Sequence, residues 1–185
     1  MHISIKMKKD FSKEIIIPSG IEVKIDDEVI IKGPNGENRR KINFGKIKVK
    51  LEKDKITLSY AKATKKEKKM INTLSAHLRN LIKGVSEKFE YKLKICIGHF
   101  PFTVKIEGKK AIIKNFLGER MQREAKIPEG AEVEINKDII IIKSANKEIA
   151  GQAAANLESA TRVRNRDRRI FQDGIYIINK CGKDL

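Results

Sequence analysis

The amino-acid sequence predicts an α+β fold of two duplicated domains, each an antiparallel β-sheet of hairpins packed with one α-helix. Three observations carry this expectation. A strand–turn–strand phrase occurs four times: V-K-I-D-D-E-V-I at Val23–Ile30, V-K-L-E-K-D-K-I at Val49–Ile56, V-K-I-E-G-K-K-A-I at Val104–Ile112 and V-E-I-N-K-D-I-I at Val133–Ile140. The phrases form two pairs with internal offsets of 26 and 29 residues, and the pairs are displaced by 81 and 84. A stretch of helical character follows the second phrase of each pair, the pattern of one supersecondary unit used twice. The phrase I-P-E-G-A-E-V-E-I at Ile127–Ile135 also echoes I-P-S-G-I-E-V-K-I at Ile17–Ile25, which relates a first hairpin to a fourth, so the hairpins within one domain resemble each other as well.

Taken in order, Pro18 and Gly20 punctuate the entry to the first hairpin. Ile21, Val23 and Ile25 alternate with charged residues, the period-two signature of a strand with one wet face. Asp26–Asp27 turns the chain, Val29–Ile31 returns, and Gly33-Pro34-Asn35-Gly36 is a second turn. A second hairpin follows at Ile47–Leu51 and Ile56–Tyr60. Thr64 reads as a helix N-cap, and Glu67 three positions on completes a capping box. Met70, Leu74, His77, Leu78 and Leu81 then share one helical face, and Gly84 reads as a left-handed cap. This places the domain boundary at Gly84–Val85, with domains 1–84 and 85–185.

The second half opens with an alternating strand at Phe89–Ile97, followed by a hairpin over Thr103–Lys114. The loop Asn115–Glu119 matches Gly33–Glu37 in position. A second helix is expected from about Asn146 to Val163, with Ile149, Ala153, Leu157 and Ala160 on its apolar face. Gly151 and the run Ala153–Ala155 are small enough to let that helix lie close to a sheet. A basic segment and a last strand at Gly174–Asn179 complete the chain.

Charge narrows the function. Across 185 residues, 41 Lys and Arg face 24 acidic residues, a net +17 with a pI near 9.9. Such an excess repels itself unless a polyanion neutralises it; nucleic acid is the first candidate and an anionic membrane surface the second. No apolar run approaches the roughly 18 residues that span a bilayer. The start, Met1–Lys9, is basic and lacks the apolar segment of a secretory signal, so a soluble, intracellular protein is expected. Cys96 and Cys181 stand apart without a C-x-x-C spacing, which supports neither a disulfide framework nor a zinc site. No cofactor, metal or small-molecule substrate is expected.

The segment Arg162–Arg169 holds five arginines in eight residues: Arg162, Arg164, Arg166, Arg168 and Arg169. Arginine presents a planar fork that suits phosphate and stacks on bases. A helix end needs only one or two cations to satisfy its dipole, so five favour phosphate binding. Lys114, Arg120, Arg123 and Lys180 of the same half complete the candidate RNA-binding set. Lys65, Lys66, Lys68 and Lys69 crowd a helix start, where the dipole disfavours cations. An anionic partner and a solvated charge run explain them equally well. Catalysis finds little support: His77 reads as a packed core histidine, His99 as a turn residue, and Gly33–Gly36 lacks the Lys-Ser/Thr ending of a phosphate-binding loop.

Several stretches, in their order and spacing, resemble one family: Asn80–Leu93 at the domain junction, Gly98-His99-Phe100-Pro101, Ile127-Pro128-Glu129-Gly130, and Phe171-Gln172-Asp173-Gly174-Ile175-Tyr176. They are similar to the universal large-subunit ribosomal protein six (the L-six family) of the archaeal and eukaryotic type, over about Ile15 to Lys180. The resemblance implies a duplicated α+β fold and a structural, non-enzymatic role. It implies binding to large-subunit rRNA near the base of the acidic stalk and the sarcin–ricin loop, with the second domain making much of the contact. Neighbouring large-subunit proteins and the stalk base would be its other partners, and no membrane is involved. The basic C-terminal signature of bacterial members is absent, so their contacts do not transfer to Cys181–Leu185. The alternative reading is a nonribosomal RNA-binding or nucleic-acid architectural protein.

Overall fold

A computed structural model describes residues 9–26, 28–52 and 54–185; the segment 1–8, Asp27 of the first hairpin turn and Lys53 lie outside the described residues. The chain divides into two compact units, Met1–Glu87 and Lys88–Leu185.

The first unit contains β1 (Lys9–Ile16), β2 (Glu22–Ile25), β3 (Glu28–Gly33), β4 (Gly36–Lys41), β5 (Lys48–Leu51), β6 (Lys55–Ala63) and α1 (Lys65–Ser86). Its strands form two antiparallel sheets, ordered β1-β6-β5 and β2-β3-β4. Alternation does what the sequence predicts on β3, where Val29 and Ile31 are fully buried beneath exposed Glu28 and Lys32. These residues, with Ile56 and Leu58 of β6, meet the apolar face of α1. Each such side chain contributes about 1.5–3 kcal/mol when taken out of water.

The capping box at the start of α1 is present. The Glu67 carboxylate accepts from the Thr64 N–H at 2.8 Å and also from its hydroxyl. The buried face differs from the sequence expectation: Ile71, Leu74, Leu78, Leu81, Ile82 and Val85 point inward, Met70 is exposed and His77 only half-buried. In addition, α1 does not stop at Gly84. It continues to Ser86 and ends at Glu87 in an extended conformation, which adds Val85 to the seam. Ile71 and Ile82 lie about 100–120° round the helix from Met70, so including them moves the centre of the seam away from Met70 and His77. Gly84 is therefore a helical residue and not a left-handed cap. The end of α1 is held by Asn35, whose N–H donates to the Val85 carbonyl at 3.1 Å. A Cβ at Gly33 would overlap Val85 Cγ1, so glycine there permits the close approach of turn and helix.

The second unit contains β7 (Phe89–Cys96), β8 (Thr103–Glu107), β9 (Lys110–Lys114), β10 (Arg123–Lys126), β11 (Glu132–Asn136), β12 (Ile139–Ser144), α2 (Lys147–Ala160), β13 (Gly174–Lys180) and β14 (Lys183–Asp184). The sheet β8-β9-β10 repeats β2-β3-β4, and the run β7-β12-β11 repeats β1-β6-β5. The duplication thus extends to strand order and to the helix that follows. What the second unit adds is β13 and β14 on the free edge of β7. Asn146 caps α2 by accepting from the Glu148 N–H at 2.9 Å. Ala150, Ala153, Ala154 and Leu157 are buried against β7, β10, β12 and β13. A Cβ at Gly151 would lie 3.2 Å from the Tyr91 hydroxyl, so the small residues do bring helix and sheet together.

Candidate nucleic-acid interface

The pairing registers bring three loops to one end of the second unit. Gly174 at the start of β13 faces Cys96 at the end of β7, and Thr103 at the start of β8 faces Lys114 at the end of β9. The loops 97–102, 115–122 and 161–173 therefore leave the sheets on the same side. Hydrogen bonds tie them to one another. Asn115 Nδ2 donates to the Pro101 carbonyl at 2.9 Å. Arg123 donates to the Glu119 carboxylate through Nε (2.7 Å) and Nη2 (2.5 Å), and its Nη1 donates to the carbonyls of Ala160 (2.9 Å) and Arg162 (3.1 Å). Its guanidinium also stacks 4.4 Å from the Phe116 ring centre.

The third tie is Asp173, which is fully buried. One carboxylate oxygen accepts from the N–H groups of Gly98 (2.7 Å) and His99 (2.8 Å), and the other lies 2.6 Å from His99 Nδ1. Burial by itself would raise the Asp173 carboxyl. The His99 backbone and ring, and then the Gly98 N–H, outweigh it and hold the group down at about 2. The His99 ring stacks on Phe171 at 4.5 Å between centroids, and the Arg166 guanidinium lies 4.8 Å from the centre of the same Phe171 ring. A buried anion thus fixes a His–Phe–Arg stack on the basic loop. The pair His99–Asp173 is committed to this scaffold, in keeping with a turn residue and not a general base.

The arginines do not sit on a helix end. α2 stops at Ala160, Thr161 leaves the helical conformation, and the last turn of α2 carries no basic residue. The break has a tertiary cause: Thr161 Oγ accepts the Ile175 N–H at 2.9 Å, which pins the chain to β13. Buried Val163 then anchors the loop, and Asn165 takes a left-handed φ of 57°. Because Arg164–Arg169 lie beyond the last turn, the helix dipole does not account for them. Arg169 is paired with Asp167, whose carboxylate also accepts the Arg169 N–H. Arg120, Arg162, Arg164 and Arg168 form no side-chain hydrogen bond or ion pair among the described residues. Arg164 and Arg166 approach Glu119 closely enough to help Arg123 hold that carboxyl below its usual range.

The candidate set therefore separates into three. Lys114, Arg120, Arg162, Arg164, Arg166, Arg168 and Arg169 gather on the three-loop end. Arg123 is there too, but its donors are spent on internal partners, and it acts as the clamp of the scaffold. Lys180 pairs with Tyr91 at the far end of β13, about 20 Å from Gly174 at the strand's rise per residue. In the first unit, Lys65–Lys69 occupy the first turn of α1, where Glu67 is committed to the cap and Lys68 lies 5.6 Å from the Phe11 ring centre. Sequence reading missed Asp173, His99 and Phe171 as organising residues. Their only trace was the pair of motifs Gly98–Pro101 and Phe171–Tyr176, which the fold places in contact.

Comparison with known proteins decides the family. The model of the family described as ribosomal protein L6 matches residues 17–88 and 100–174, one segment for each half of the duplication. The chain belongs to the ribosomal protein L6 family. Among curated relatives, "Large ribosomal subunit protein uL6" of Methanococcus vannielii is 45% identical over 174 residues, covering 94% of this chain and 96% of the relative. The protein of the same description from Methanobrevibacter smithii is 46% identical over 169 residues, covering 91% and 95%. That of Methanosarcina mazei is 42% identical over 176 residues, covering 95% and 100%. These archaeal L6 proteins match the archaeal type expected from the sequence. The family is structural and non-enzymatic.

Proposed function

We propose that the chain is a constituent of the large ribosomal subunit, in the cytoplasm, that holds large-subunit rRNA through the three-loop end of its second unit. Within the subunit it lies near the base of the acidic stalk and the sarcin–ricin loop, beside neighbouring ribosomal proteins. The observation that carries this reading is the set of unpaired guanidinium groups held on a scaffold fixed by Asp173 and Arg123. Free arginines on an internally clamped surface lose little entropy on meeting phosphate, and they repel one another until they do. The second unit is accordingly the main rRNA-binding domain. Binding is dominated by backbone and shape contacts, as is usual for structured RNA.

Sedimentation tests the reading. The chain should stay with large subunits through a salt wash that strips loosely bound basic proteins, and it should bind an isolated large-subunit rRNA fragment in that region. Loss in the wash, with equal binding to unrelated RNA, would favour a nonribosomal RNA-binding protein instead.

A further inference from the structure

We propose that the cleft between the end of α2 and the start of β13 is a pocket for one unpaired guanosine of an RNA. This rests on the rRNA-binding reading above and adds a base-specific contact that phosphate neutralisation does not require. The cleft encloses about 270 Å³. That is just below the roughly 300–1,000 Å³ of pockets for drug-sized ligands, a size suited to one base with its sugar. Its floor is apolar, made by buried Val163 and Ile175. Tyr176, 41% exposed, forms one wall. Its ring is preset: a Cβ at Gly174 would lie 3.2 Å from two ring carbons, and the phenol oxygen is 3.4 Å from the Asp173 carbonyl. An exposed, fixed aromatic face is a stacking platform for any base.

Arg162 and Arg168 also line the cleft, and neither guanidinium has a hydrogen-bonded partner among the described residues. They can take the phosphates on either side of a base seated on Tyr176. The remaining polar side chain with full charge is Glu158, whose carboxylate likewise forms no hydrogen bond or ion pair among the described residues. An ionised carboxylate only accepts hydrogen bonds, and with Arg162 and Arg168 turned to the phosphates, a base seated in the cleft is the group that can offer it donors. Guanine alone presents two adjacent donors, N1–H and the N2 amino group, on its Watson–Crick edge. Adenine and cytosine set one amino group next to an acceptor, and uracil sets one N–H between two carbonyls. The two oxygens of Glu158 therefore select guanine, and because they use its pairing edge the guanosine must be unpaired.

The test uses the full chain and two single-stranded heptaribonucleotides, all-adenosine and the same with a central guanosine, with binding read by fluorescence anisotropy. The guanosine RNA should bind about tenfold more tightly, the scale of one good bidentate base contact. Glu158→Gln should bring the two RNAs within about twofold of each other, and Tyr176→Leu should weaken both by about tenfold. Equal affinities for the two RNAs, or a guanosine preference that survives Glu158→Gln, would overturn the pocket. Free 5′-GMP binding as tightly as the guanosine RNA would make the ligand a mononucleotide and overturn the RNA assignment. An rRNA fragment measured in parallel separates the two readings: if it binds while the heptamers show no preference, the pocket alone falls, and if nothing binds, both fall.

Discussion

Asp173 shows how one residue can organise a surface that it does not itself reach. Its carboxylate satisfies two backbone donors and faces a histidine ring, so Asp173→Ala leaves those groups unpaired in a buried place. We expect the second unit to lose about 2–4 kcal/mol, measured by urea unfolding followed at β7 and β13. The same residue gives a pH dependence with a definite sign. Its folded value of about 2 lies below the unfolded value of about 3.9. Its contribution is therefore complete above about pH 4 and disappears as pH falls toward 2. Asp173→Ala should remove that part of the acid-side slope and leave stability near neutral pH uniformly lower. In the first unit, Gly33→Ala forces a methyl group into Val85 and should cost about 1–3 kcal/mol, seen as faster amide exchange in β3 and α1. Neither residue was legible beforehand. A glycine in a turn reads as a turn residue, and whether an aspartate is buried depends on what the fold sets against it.

Among elements, the hairpin strands with alternating apolar residues were legible, as were the Thr64–Glu67 cap and the small-residue face of α2. The third strands of the small sheets, β4 and β10, were not. Their inward positions are Asn38 on β4 and Ala125 on β10, which give no apolar alternation to read. The end of α2 was misplaced because Ser159–Val163 has no breaker; the stop comes from Thr161 bonding to β13, an interaction remote in sequence. That hydrogen bond converts the arginine segment from a helix end into a clamped loop. Replacing Arg164, Arg166 and Arg168 together should flatten the dependence of log affinity on log salt by about two to three units, at about 0.7–0.9 for each phosphate no longer neutralised. Replacing Lys65, Lys66 and Lys68 should change it less. Arg123→Met should behave differently from both, lowering the stability of the second unit by about 2–4 kcal/mol while moving the salt slope by less than about one unit. Binding curves to an rRNA fragment across a salt series distinguish these outcomes.

For the whole molecule, the repeat visible in four short phrases extends to two small antiparallel sheets and a helix in each unit, and the family match falls once on each. The copies differ in structure, and the proposed reading gives them different uses. Among the described residues only the second carries added edge strands, β13 and β14, and β13 is the strand that follows Asp173 and bonds the end of α2. Duplication was readable because it preserves hydrophobic period and spacing. The proposed division of labour was not, since it rests on an added edge strand and on loops that meet only in the fold. Ultraviolet cross-linking of the chain within purified large subunits, with the RNA-bearing peptides mapped by mass spectrometry, tests that division most directly. The account predicts cross-links concentrated in residues 98–101, 114–122 and 162–176; cross-links confined to the first unit, around residues 65–80, would contradict it.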